Sequence, residues 1–159
     1  MEIINRLFKE LKDEYGLKPF HSIGRRGPLY ISNDQKYLVK RFKRNNDLHK
    51  YVSRYNEISE KLTSILEHNK HLSRRIRVLP IIACGDDYYI KQFYNSALSA
   101  REANEEKEYY PDYIQLKEKF LCHIHDEKLR NIVEVSLDSN DGIFWENGDA
   151  RLVFNDFQF

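Results

Sequence analysis

Charge is the first chemical feature of this chain. Between Lys36 and Arg77 there are 12 Lys/Arg against 4 Asp/Glu, a balance of +8, whereas between Asp86 and Asp149 there are 7 against 15, a balance of −8. The two halves attract each other or the basic half attracts an anion, while for the exposed charges a solvated helix face is the simpler reading. Within the basic half Lys40 stands in "YLVKRFKRN" (37–45), where it is either a solvent-facing strand lysine or one turned toward a site. Just before it, Arg25 and Arg26 sit between Gly24 and Gly27, and two guanidinium groups at such a turn can clamp phosphate. In the acidic half "SLDSND" (136–141) gathers Ser136, Asp138 and Asp141, and "LVFNDFQF" (152–159) carries Asp156 to the end of an alternating apolar stretch. Cys84 and Cys122 are too few and too far apart for a disulfide framework or a zinc site, which points to a reducing, cytoplasmic setting.

With 159 residues, 41% of them hydrophobic and 32% charged, the composition is that of a globular chain of one domain or two small lobes. The longest apolar run, "VLPIIAC" (78–84), is far short of a membrane span. The opening "MEIINRLFKELKDEYG" carries acids where a signal peptide has only bases, so neither a membrane nor export is expected.

These residues need elements to position them. Ile3, Ile4, Leu7, Phe8 and Leu11 predict an amphipathic helix over 2–15, stopped by Gly16. Residues 18–42 change to a period of two and predict three antiparallel strands, with Leu38, Lys40 and Phe42 on one face. The stripe Leu48, Tyr51, Val52, Tyr55, Ile58, Leu62, Ile65 and Leu66 predicts a helix over 46–68. Residues 77–95 read as two strands around "GDD", with Pro80 at an edge or strand start. Residues 99–111 read as a connection or a short helix, 112–126 as a helix, "NIVEVSLDSNDG" (131–142) as a loop with a short strand, and 143–157 as a hairpin turned by "ENGD".

The order is therefore a glycine turn between strands, a strand bearing Lys, a helix, two strands, a linker, a helix, a loop and a hairpin ending in Asp-Phe. With "IGRRGPLY", "YLVK", "RNIVEVSLDSNDGIFW" and "LVFNDF", it resembles the protein-kinase-like superfamily over about Phe20 to Phe157. Within that superfamily it is most similar to the small bacterial kinase-like (YrbL-like) family of the PhoP regulatory network. The resemblance implies an α+β, kinase-like fold with a five-stranded antiparallel N-lobe sheet, one helix and a minimal C-lobe truncated after Asp-Phe. The expected layout is an N-terminal helix over 1–17, an N-lobe over 18–95, a linker over 96–111 and a reduced C-lobe over 112–159.

Carried over by position, Gly24, Arg25 and Gly27 would form the phosphate turn and Lys40 would hold nucleotide phosphates. Glu57 would be the helix acid that orients Lys40, while Asp141 and Asp156 would hold magnesium. Ser136 falls where kinases place the catalytic carboxylate, and Asp138 is its nearest substitute. A serine is a far weaker base. On a helical wheel Glu57 lies about 160° from Tyr55, and Glu60 about 140°, so both acids are expected at the exposed face. Leu38 stands where the family has a small residue above the adenine ring, and Gln158 replaces the motif glycine.

Three functions follow. The first is a pseudokinase-like regulatory domain acting through a protein partner or homodimer that covers the reduced C-lobe, with ATP and magnesium as its cofactors where it binds any. The second is an active minimal ATP-dependent phosphotransferase, because phosphoryl transfer rests mostly on positioning and charge. The third, ranked last, is nucleic-acid binding through "KRFKRN" and "HLSRRIR", where interleaved aromatics are few and no recognised nucleic-acid motif is present.

Overall fold

The computed structural model describes residues 1–20, 28–94, 110–139, 143–146, 149–154, 156, 157 and 159. In chain order the elements are β1 (Glu2–Ile3), α1 (Phe8–Tyr15), β2 (Lys18–Pro19), β3 (Leu29–Ile31), β4 (Tyr37–Arg41), α2 (Asn45–Glu67), α3 (Lys70–Ser73) and β5 (Ile76–Val78). There follow β6 (Ile81–Cys84), β7 (Tyr88–Gln92), α4 (Tyr110–Cys122), α5 (Glu127–Ser139), β8 (Ile143–Glu146) and β9 (Asp149–Phe154). The chain is α+β and divides into two compact units, residues 1–57 with 80–95 and residues 58–79 with 96–159.

In the first unit six strands run in the order β1-β6-β7-β4-β3-β2. Five of them, β6, β7, β4, β3 and β2, form the expected antiparallel run. The sixth, β1, is an addition that lies parallel to β6. The expected helix over 2–15 is accordingly shorter: Glu2 and Ile3 pair with Ala83 and Cys84, Leu7 is still extended, and helix begins at Phe8. The stripe read from the sequence mixes two environments, because Ile3 is 86% exposed while Phe8 and Leu11 are buried. Gly16 ends α1 in the left-handed conformation at φ 58°, where a Cβ would lie 2.5 Å from the Asn33 side chain.

Alternation along β4 and β7 buries both faces of the sheet. Val39, Tyr88 and Ile90 pack with Phe8, Leu11 and Leu17 on the α1 side. Leu38, Lys40 and Phe42 point the other way, as do their cross-strand neighbours Tyr89 and Lys91, since registers place Lys40 opposite Tyr89 and Leu38 opposite Lys91. Both faces being covered is what the near-continuous apolar strands require.

In the second unit β5, β9 and β8 form a three-stranded sheet, with β8 and β9 as the expected antiparallel hairpin and β5 parallel to β9. Residues 77–95 thus supply three strands instead of two. Pro80 has no N–H to continue a ladder. The break at Leu79 and Pro80 sends β5 to one sheet and β6 to the other, with the Leu79 N–H donating to the Phe154 carbonyl.

The segment 131–142, expected as a loop with a short strand, is helical to Ser139 as part of α5. Two features explain it. The Asp126 carboxylate accepts the Leu129 N–H at 3.0 Å, the bond of an N-cap. Leu129, Val133, Ser136 and Leu137 then recur at helical spacing and are all buried. The same unit buries Tyr113, Leu116 and Phe120 of α4, and the Phe120, Phe154 and Phe157 rings follow one another at 6.0 and 5.5 Å.

Candidate anion-binding site

The site is built on the β4–β7 pair of the first unit, on the face shared with α2. Lys40 is 6% exposed, so it is not the solvent-facing lysine that "KRFKR" allowed. Its neighbour Arg41 points to the opposite face and is exposed, with Nε 2.6 Å from Asp87 Oδ2. Alternation therefore separates two adjacent cations, one toward solvent and one inward.

Aromatic rings surround Lys40. Its ammonium lies 5.6 Å from the Tyr51 ring centre and 5.8 Å from that of Phe42. Tyr51 stacks on Tyr89 at 5.4 Å and 5°, and Phe42 lies within 6 Å of both. α2 supplies Tyr51 and, one turn on, Tyr55, whose ring centre is 6.1 Å from that of Tyr51. Ring faces are negative and attract an ammonium group, by about 2 kcal/mol when it is desolvated. Such a lysine is well matched to an anion.

Sequence reasoning missed a second cation. Lys91 on β7 is 2% exposed, with its ammonium 5.2 Å from the Tyr55 ring centre. The signal was present in "YYIKQF" (88–93), whose alternation puts Lys91 with Tyr89 and away from Ile90. Lys40 and Lys91 are diagonal neighbours on one face, a relationship that sets Cα atoms about 7–8 Å apart. Leu38, the expected ceiling of a base pocket, is buried directly opposite Lys91 and two residues before Lys40 on β4.

The remaining sequence candidates divide as follows. Glu57, also in the first unit, is exposed, as the helical wheel indicated. Gly24, Arg25, Gly27, Asp141 and Gln158, with most of the linker 96–111, lie outside the described residues. Ser136 is corrected from a loop residue to a helical one: it is 2% exposed and its hydroxyl donates to the Ile132 carbonyl at 2.6 Å. The Asp138 backbone belongs to the same helix. Asp156 lies two residues beyond β9, half-buried, and its carboxylate accepts the Phe157 N–H at 2.9 Å. Among the described residues no three His, Cys, Asp or Glu side chains gather as a metal site, and no helix is long and apolar enough to cross a membrane.

No family model and no curated protein matches the chain. Among solved structures it is similar to APH(2")-IIa in a ternary complex with streptomycin and ATP, with a TM-score of 0.44 and 21% identity, covering 77% of this chain and 41% of that one. It is also similar to APH(2")-IIa in a gentamicin complex, with a TM-score of 0.39 and 15% identity, covering 97% and 72%. The chain thus spans less than half the length of the first of these proteins. Likeness at this level assigns neither activity nor substrate.

Proposed function

We propose that the chain is a kinase-like regulatory domain that binds the phosphates of a nucleotide at Lys40 and acts through a protein partner in the cytoplasm, without efficient phosphoryl transfer. The observation that carries this reading is the inward, ring-lined position of Lys40 on β4 beneath α2. A lysine there serves a polyanion as a compact point charge. The element order supports the kinase-like assignment: strands β2 and β3, the Lys strand β4, the helices α2 and α3, three strands of which β6 and β7 stay in the same sheet, two further helices and a hairpin followed by Asp156-Phe157.

Ser136 argues against efficient transfer. Its hydroxyl is turned into its own helix and cannot accept a proton from a substrate in that position. In the second unit Asp156 offers a hard oxygen donor with partial access to solvent, the kind of carboxylate that takes magnesium.

Differential scanning fluorimetry with ATP and magnesium tests the binding reading, because a ligand of the native state must raise its stability. A rise in Tm in the wild type that is absent in Lys40→Met is expected. No rise at millimolar ATP overturns the reading. Steady release of labelled phosphate from ATP by the purified protein would instead identify a minimal phosphotransferase.

A further inference from the structure

We propose that β1 is the contact edge of a homodimer, in which two copies of the chain pair β1 against β1 antiparallel about a two-fold axis at Ile3 and join their sheets into one. Three of the four exposed large apolar side chains among the described residues, Met1, Ile3 and Leu7, lie in the stretch that leads into α1, at 60%, 86% and 71% exposure. All three are at odd positions, which puts them on one face of an extended chain. A single exposed apolar residue is ordinary, whereas a row of them on an edge strand invites pairing.

The backbone is open at the same place. Among the described residues β1 ends the sheet, with β6 on its inner side. The even positions serve the chain itself: the Ile4 N–H donates to the Cys84 carbonyl at 3.0 Å, and the Arg6 carbonyl accepts the Tyr88 hydroxyl at 2.9 Å. Ile3 lies opposite Cys84 in this parallel ladder, and because its neighbour Ile4 supplies the bond, the N–H and C=O of Ile3 point to the outer edge. The other end of the sheet is guarded. There β2 consists of Lys18 and Pro19, both exposed, and an edge with a lysine charge and a proline that has no N–H resists pairing. β1 has neither.

Charge selects a second copy as the occupant. With Ile3 opposite Ile3 as a hydrogen-bonded pair, each residue exchanges its N–H and C=O with the other, and Met1 falls opposite Asn5. Glu2 then becomes the diagonal neighbour of Arg6 in the other copy, twice over by symmetry, at about 7–8 Å between backbones and within reach of these long side chains. Arg6 also meets Glu14 in its own chain, and its guanidinium has donors enough for both carboxylates. Met1 comes diagonal to the other copy's Ile3 and Leu7, so the exposed apolar side chains cover one another. An axis at Glu2 would instead set carboxylate against carboxylate and turn the open backbone groups away. The paired stretch is short, so the dimer is a small, rapidly exchanging interface.

Sedimentation velocity of the full chain over a concentration series tests the pairing. The wild type should pass from monomer to dimer as concentration rises toward about 1 mM. Ile3→Lys changes an exposed side chain and sets two ammonium groups together at the axis, so it should stay monomeric where the wild type is dimeric and keep the wild-type Tm when dilute. Glu2→Arg and Arg6→Glu should each dimerise roughly tenfold more weakly, because each alone brings like charges together at both diagonals. An equimolar mixture of these two variants should recover wild-type association, since every diagonal between unlike copies again joins opposite charges. Loss of fold in either variant could not produce that recovery. A wild type that remains monomeric up to about 1 mM overturns the proposal and leaves the edge to a different protein. Dimerisation of Ile3→Lys as strong as that of the wild type overturns it by placing the interface elsewhere, and a mixture no better than its separate variants overturns the two-fold register.

Discussion

Arg75 and Asp112 are joined in the second unit, the Arg75 Nη2 lying 2.8 Å from the Asp112 Oδ2. The same oxygen accepts the Ala150 N–H at 2.7 Å, and Arg75 donates to the Ala150 carbonyl through Nε at 3.1 Å and Nη2 at 2.9 Å. One residue before β5, one in α4 and one in β9 are thereby fixed to each other. This closed set satisfies the backbone of Ala150 at the point where β9 would otherwise present unpaired groups.

Asp112→Ala should therefore cost more than an ordinary surface change. It leaves the Ala150 N–H and the Arg75 guanidinium without their acceptor, a loss of about 1–3 kcal/mol, or a fall in Tm of roughly 3–10 °C at this chain length. Urea unfolding measures it. Asp112→Ala and Arg75→Ala should be strongly non-additive in a double-mutant cycle, and simple additivity would show that the residues act separately.

The same contacts give the fold an acid limit. Burial pushes the Asp112 carboxyl up, but the Ala150 N–H and the Arg75 guanidinium outweigh it and hold the group below its ordinary value of 3.8. A carboxyl depressed in the fold contributes stability that is fully present above its unfolded value and is lost as pH falls through the lower folded one. Asp34, held down by the Ser32 hydroxyl and the Lys36 N–H, and Asp126, held down by the Leu129 N–H, act in the same direction. Stability by urea titration should be flat from neutrality to about pH 5 and decline below pH 4. Asp112→Asn should make that decline shallower.

Gly85 tests the packing of the first unit. A Cβ there would lie 2.5 Å from Tyr88 Cζ, and Tyr88 is buried with its hydroxyl donating to the Arg6 carbonyl at 2.9 Å. Gly85→Ala must displace that ring and is expected to destabilise by about 1–3 kcal/mol. In Gly85→Ala with Tyr88→Phe the hydroxyl tether is gone and the ring is freer to move. The alanine should then cost less, and an unchanged cost would locate the strain elsewhere.

Much of this architecture was legible because the sequence states it locally. The stripe of α2 is long enough to overwhelm competing patterns, and the alternation Leu38, Lys40, Phe42 fixed one face of β4 before any register was known. β1 was illegible for the opposite reason: two residues carry no period, and their pairing with β6 comes from chain more than 80 positions away. β5 escaped because Ile76 to Val78 runs into Pro80 and β6, and only tertiary pairing with β9 separates the strands. For α5 the signals were present in Asp126 and in the spacing of Leu129, Val133 and Leu137, but the resemblance of "SLDSND" to a catalytic loop overrode them. Lys91 was passed over because a charged residue in a strand is ordinarily assigned to solvent, whereas here both sheet faces are covered.

That override can be tested at Ser136. If the segment worked as a catalytic loop, Ser136→Asp would restore the usual base and raise phosphate turnover. The structure leads to the opposite result. Ser136 occupies a buried position on α5 in step with Leu129, Val133 and Leu137, and its hydroxyl is already bonded to the Ile132 carbonyl. An aspartate there loses that donor, faces the Ile132 carbonyl with a carboxylate and buries a charge among leucine and valine side chains, which costs several kcal/mol. Ser136→Asp should unfold at much lower urea than the wild type at pH 7, recover part of the difference near pH 5 as the carboxyl takes up a proton, and show no gain in turnover, while Ser136→Ala should stay within about 1–2 kcal/mol of the wild type. A stable Ser136→Asp with new activity would return the segment to the loop that its letters suggest.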